Sequence, residues 1–266
     1  MNRPNRNLYY LMLAAALVAS GCNVERRASS EESRATITRN WPASAIREVK
    51  VFEVDGSITV EASTGGEISL LATAKGDLEI KKGQENDGLF ETTLDGDTLR
   101  IGRREIKRKG WDFGVIFGDD DVQIDYVLKM PATVSLAVST VNGRIATRGM
   151  DGQTEAATVN GSIDIETAGL HELQATTVNG RVKAKFTRDF QGARFKTVNG
   201  GVEATLPQTA SFTVNLSQVN GDFEASFPLS IHSNPGSRRV SGEVNGGEHE
   251  LKIVTVNGDV ELARLQ

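Results

Sequence analysis

The tripeptide Val-Asn-Gly recurs through the C-terminal half of this chain, at Val141–Gly143, Val159–Gly161, Val178–Gly180, Val198–Gly200, Val219–Gly221, Val244–Gly246 and Val256–Gly258. The first four steps between the asparagines are 18, 19, 20 and 21 residues, and the last two are 25 and 12. A fixed period near twenty residues is the mark of a repeat architecture, in which each copy is one supersecondary unit stacked on the next. Asn-Gly also tolerates positive φ. Each pair (Asn142-Gly143, Asn160-Gly161, Asn179-Gly180, Asn199-Gly200, Asn220-Gly221, Asn245-Gly246 and Asn257-Gly258) therefore predicts an abrupt change of chain direction.

After each pair the sequence alternates. Three residues beyond the asparagine stand Ile145, Ile163, Val182, Val202, Phe223 and Val260; five beyond stand Thr147, Ile165, Ala184, Ala204, Ala225 and Leu262, with polar residues between. That is the period of a strand with one apolar face. The expected core holds Ile163, Ile165, Val182, Val202, Leu206, Phe223 and Phe227. Two all-β architectures accommodate the pattern. A β-hairpin meander uses Asn-Gly as a tight turn, but an open sheet of that many strands tends to curl or split. A single-chain β-solenoid, with one coil per repeat of about 18–21 residues, explains the near-identical tetrapeptides, because stacking lays like side chains over like and lets Asn form a hydrogen-bonded ladder. The solenoid also predicts charge columns: Asp164 over Lys183 over Glu203, and Glu166 over Lys185.

Repeated Thr-Val-Asn-Gly followed by a short alternating strand resembles a bacterial family of candidate adhesins, a β-strand-repeat family of unknown function similar to head GIN domains. The resemblance runs from about Arg47 to Leu265. It implies a single-chain β-helix and a cell-envelope setting, and it carries over no catalytic residue.

The N-terminus has a basic start at Arg3 and Arg6, an apolar run over Leu8–Val18, and then Ala19-Ser20-Gly21-Cys22. Such a segment is an export signal and is too short to span a membrane as a helix. Small residues directly before a cysteine resemble a lipobox, so residues 1–21 are expected to be a lipoprotein signal peptide, with lipidation of Cys22. Cys22 is the single cysteine, which excludes an internal disulfide. Losing Arg3 and Arg6 moves the formal net charge from −5 to −7, which gives nucleic acid no attractive surface. Asn23 follows the lipidated position, and the expected address is exported and lipid-anchored, the outer membrane where the cell has one. The Ser/Glu/Arg-rich stretch 22–41 reads as a flexible tether, and 42–266 as the repeat domain.

Two stretches are candidates for partner binding. One is the basic run Arg103–Lys109 leading to Trp111, Phe113 and Phe117 and then three aspartates, read either as an exposed loop or as a cap on the solenoid core. The other is Pro228–Gly242, with Arg238 and Arg239, read as a looped-out insertion or a widened turn. No metal-ligand spacing involves His171, His232 or His249, and no cofactor motif is present. The strongest catalytic case is a polysaccharide lyase or hydrolase using Glu203 and Glu224 with Arg181 nearby. The leading expectation is a non-catalytic, lipid-anchored surface for an unidentified envelope protein or polysaccharide; the alternatives are that enzyme and a periplasmic accessory or sensor subunit.

Overall fold

The computed structural model describes residues 24–26, 33–76, 89–103, 105–106, 116–117, 122–229, 232–233 and 239–266, with backbone alone at 24–26, 33, 105–106, 116–117 and 232–233. Among these residues there is no α-helix, and a single 3-10 turn spans Ala43–Ala45. Two long sheets face one another. Each repeat gives one strand to the first sheet, turns at Asn-Gly, and gives the next strand to the second, as in Leu173–Asn179 and Val182–Phe186.

Successive coils pair in parallel and like on like. In the first sheet Asn142 pairs with Asn160, Asn160 with Asn179, and Asn179 with Asn199. In the second, Ile145 pairs with Ile163, Ile163 with Val182, and Val182 with Val202. Parallel neighbours cannot be joined by a tight hairpin, so the fold is the solenoid and not the meander. Alternation then puts one face of every strand inward. Ile58, Ile145, Ile163, Val182, Val202 and Val260 form one column of fully buried side chains, each contributing roughly 1.5–3 kcal/mol of burial.

Stacking order departs from chain order at both ends. The layer made by Thr98–Gly102 and Gln123–Pro131 lies outside Glu48–Asp55 and Ile58–Ser63, although it follows them in sequence. At the other end, His249–Asn257 and Val260–Arg264 slide between the 193–206 coil and the 212–225 coil. The irregular steps of 25 and 12 arise because the chain makes the antiparallel strand Arg239–Val244, with Asn245 in the turn after it, before it returns to the stack. Antiparallel strands close three of the four sheet ends: Glu91–Asp95 and Arg239–Val244 on the first sheet, Glu67–Gly76 with Ser33–Pro42 on the second.

Two expectations are corrected here. The stretch 22–41 is not wholly a tether, because Ser33–Pro42 pairs along its length with Glu67–Gly76 and buries Ala35, Ile37 and Trp41. The period-two signal was there, in Ala35-Thr36-Ile37, but diluted by polar neighbours. Phe223 is only half-buried, because among the described residues its strand is the last of the second sheet.

Candidate functional site

The Asn-Gly corners stack into one continuous edge, and each residue of the tetrapeptide has its own task there. The glycines are needed for closeness. A Cβ on Gly143, Gly161, Gly180 or Gly200 would overlap the carbonyl oxygen of the glycine one coil away, as would one on Gly258 against Gly200. Positive φ, expected at every copy, is found in the tetrapeptides only at Gly221 and at Asn245-Gly246. The stack, not the turn, therefore excludes a side chain.

The threonines point inward and are buried. Thr158, Thr177, Thr197 and Thr255 donate their hydroxyls to the carbonyls of Gly143, Gly161, Gly180 and Gly200 at 3.1–3.3 Å, and Gln218 in the last coil donates to Gly258 at 2.8 Å. Each bond satisfies a carbonyl that would otherwise be lost at the corner. The asparagines point outward and form a chain of amides. Asn142 donates to Asp55 at 2.7 Å, Asn160 to Asn142 and Asn179 to Asn160 at 2.8 Å, and Asn199 to Asn179 at 2.9 Å. Asn257 continues it to Asn199 at 2.9 Å, and Asn220 to Asn257 at 2.8 Å.

Asn245 and Gly246 do not belong to this ladder. Asn245 has φ 50° and its amide bonds the carbonyls of Gln208 and Ala210. It makes a tight turn after Arg239–Val244, a role that Asn fills through its tolerance of left-handed backbone.

Beside the amides runs a row of valines, one per coil: Val54, Val141, Val159, Val178, Val198, Val256 and Val219 in stacking order. Of the seven large apolar side chains that are exposed among the described residues, five are valines of this row, the most open being Val219 at 47%. With strands about 4.8 Å apart, the ridge and ladder make a straight surface of alternating apolar and amide groups.

Trp111, Phe113 and Arg238 lie outside the described residues, as does Cys22. Phe117 is in a short strand, Ile116–Phe117, that pairs with Glu105–Ile106 apart from both main sheets. Arg239 is exposed at the start of Arg239–Val244. In sequence, 104–121 stands between Thr98–Gly102 and Gln123–Pro131, where the regular coils have only an Asn-Gly corner. At its root Arg103 forms a 2.7 Å ion pair with Glu53, both buried. Glu53 stands where later coils have the inward threonine. Burial pushes its carboxyl above the ordinary range, against the opposing pull of the Val54 amide and the Arg103 guanidinium.

Glu203, Glu224 and Arg181 line one open cavity of about 380 Å³ with Asp222, Asp259 and Glu261. The interleaved strand puts Glu261 between Glu203 and Glu224 in register, and Lys183 takes Glu203 at 2.6 Å. Among the described residues no three His, Cys, Asp or Glu side chains are placed to hold a metal, and no helix is long and apolar enough to cross a membrane.

These features define a class, the capped two-sheet parallel β-solenoid built on a Thr-Val-Asn-Gly corner. Residues 133–263, the stretch that holds the regular coils from Ser135 onward, match the model of the Toastrack family, DUF4097. No curated protein matches the chain. Solved structures similar to it include a candidate cell-adhesion protein from Clostridium sporogenes, with TM-score 0.44 and 8% identity over 91% of this chain and 100% of that one. A candidate adhesin from Bacteroides fragilis gives 0.31 and 10% over 85% and 96%, and a candidate lipid-binding protein from Parabacteroides distasonis gives 0.26 and 12% over 87% and 97%.

Proposed function

We propose that the chain is a non-catalytic envelope protein, held to the membrane by a lipid on Cys22, which presents the corner ridge to an envelope protein or polysaccharide. The valine row supports this reading. Large apolar side chains are otherwise seldom exposed among the described residues, yet five successive coils each leave one valine exposed along a single line. Contiguous exposed apolar surface of that kind marks an interaction site. The neighbouring amides supply donors and acceptors in fixed register, which suits a flat or repeating ligand. Outer-membrane placement belongs to the same proposal and rests on Asn23 following Cys22.

The test is photocrosslinking in intact cells, with the reactive residue at Val178 and, as control, at Lys185 on the opposite sheet's outer face. A partner captured from Val178 and lost when Val159 and Val198 become Ser supports the ridge. Equal capture from both positions overturns it. The second reading, a carbohydrate-active enzyme, has in its favour that Arg181, Glu203 and Glu224 share a cavity. Oligosaccharide release by purified protein that stops in the double variant Glu203→Gln, Glu224→Gln would install that reading instead.

A further inference from the structure

Among the described residues the second sheet ends without the antiparallel strand that closes the other three sheet ends. Among the described residues its last strand, Phe223–Ala225, pairs on one side only, with Val260–Arg264. At the same end of the molecule the first sheet continues past its last coil into Arg239–Val244 and His232–Ser233. The direction of the backbone groups follows from two hydrogen bonds. The Val260 amide donates to Asp222 at 2.9 Å and the Ser226 amide donates to Leu262 at 2.8 Å. Groups alternate along a strand, so the amides and carbonyls of Phe223 and Ala225 point away from the sheet. Their side chains are in the same position. Val260 and Leu262, one layer in, are 1% and 0% exposed, whereas Phe223 and Ala225 are half-buried. Among the described residues the edge has neither a hydrogen-bonding partner nor a further apolar layer over it.

Charge says what would fit. On the outer face the column runs Lys183, Glu203, Glu261, Glu224. Lys183 neutralises Glu203, but Glu261 and Glu224 lie side by side with no cation within ion-pair distance among the described residues. Asp222 and Asp259 flank them, the Asp222 amide bonding the Asp259 carboxylate at 2.9 Å. Like charges directly opposed on a sheet are unfavourable, and a cation at the next position would relieve them.

We propose that Phe223–Ala225 is a strand-addition site for an extended basic segment of a partner protein. The added strand would bond the free amides and carbonyls, lay apolar residues over Phe223 and Ala225, and place a Lys or Arg beside Glu224. Main-chain bonds supply affinity and alternate side chains specificity, as in other strand-addition complexes. A second copy of this chain is the wrong occupant. Two-fold pairing of the edge would set Glu224 against Glu224 and add a further pair to an acidic column. The proposal stands on the sheet edge and is independent of the valine ridge.

The experiment uses the full chain in detergent and two labelled hexapeptides, alternating Lys-Val and alternating Glu-Val, read by fluorescence anisotropy and by amide hydrogen exchange. The Lys-Val peptide is expected to bind at least roughly tenfold more tightly than the Glu-Val peptide, weaken with salt, and slow exchange at the Phe223 and Ala225 amides. Glu224→Lys, an exposed change, should remove that preference. Ala225→Pro, which deletes an outward amide at an edge where proline is tolerated, should remove binding. Short charged edges also serve simply to prevent aggregation. Equal binding of both peptides, binding without protection of those two amides, amides already protected in the free protein, or self-association through this edge would each overturn the proposal.

Discussion

Asn257 donates its side-chain amide to Asn199 at 2.9 Å, across 58 residues of sequence, while Asn220, the next ladder asparagine after Asn199 along the chain, is one layer further out and donates to Asn257. Neighbours in the stack are thus not set by proximity in the chain. The corner is a generic joint: the same asparagine and glycine contacts join coils that are consecutive in the chain and coils that are far apart in it.

The joint's weakest tolerance is at glycine. Gly180→Ala should cost about 1–3 kcal/mol or more, since overpacked interiors must shift to make room and here the obstructing atom is the backbone carbonyl of Gly161. Gly66→Ala is the control, with nothing within 4 Å of the added carbon. Chemical denaturation of both variants checks the pair. Equal loss would mean that chain flexibility, not closeness, sets the requirement.

Register can be tested through charge. Lys183 pairs with Asp164 on one side and Glu203 on the other, and bonds Glu203 at 2.6 Å. Lys183→Glu should destabilise by about 0.5–1.5 kcal/mol, modest because the lysine is half exposed, and added salt should recover part of the loss. A double-mutant cycle with Glu203 should give a coupling of the same sign. No coupling would contradict the stacked geometry.

The buried pair at the other end behaves differently. Glu53 and Arg103 are 0% and 4% exposed at their side chains. Removing either partner alone should cost about 3–5 kcal/mol, because it strands the other charge. Glu53→Thr with Arg103→Met, which restores the residue used at this position in later coils, should cost far less. Since burial raises the Glu53 carboxyl above its ordinary 4.5, the folded protein holds that proton more tightly than the unfolded chain. This group's contribution to stability is therefore highest in acid and declines as pH rises from 4.5 through the folded pKa. Glu53→Gln should lack that slope in a melting series across pH.

Anchoring is tested by Cys22→Ser. The expected outcome is a folded protein released from the membrane fraction, read by fractionation and circular dichroism. Retention after a high-salt wash would show that something other than a lipid on Cys22 holds it.

The repeat was legible because its residues act locally and periodically: Thr177, Asn179 and Gly180 each do in the stack what their spacing suggests. Asn245 misled because the tripeptide has two uses, a ladder rung and a left-handed turn, and only its surroundings separate them. The exposed valines were missed for a related reason. A valine in an alternating strand is read as core, but Val178 falls on the outward phase of the alternation that turns Leu173, Ala175 and Thr177 inward, where Thr177 reaches the Gly161 carbonyl. The Glu53–Arg103 pair could not be read at all from residues fifty apart. Val54-Asp55-Gly56 is legible as an Asp-Gly version of the repeat, and the register then shows that Glu53 holds the inward position that threonine has elsewhere.

The interleaved final coil bears on how the polypeptide must be made. A chain emerging amino end first presents Phe212–Asn220 before the layer that belongs beneath it, Val260–Arg264 and its partner strand, has been synthesised. Sequential winding, each turn settling on the last, would close the stack in the wrong order. The outer coil must wait, unseated, until the carboxyl-terminal stretch slips in behind it. Trimming the last eighteen or so residues would then remove an interior course of the wall and not its coping, and the damage should be far larger than the length of the cut.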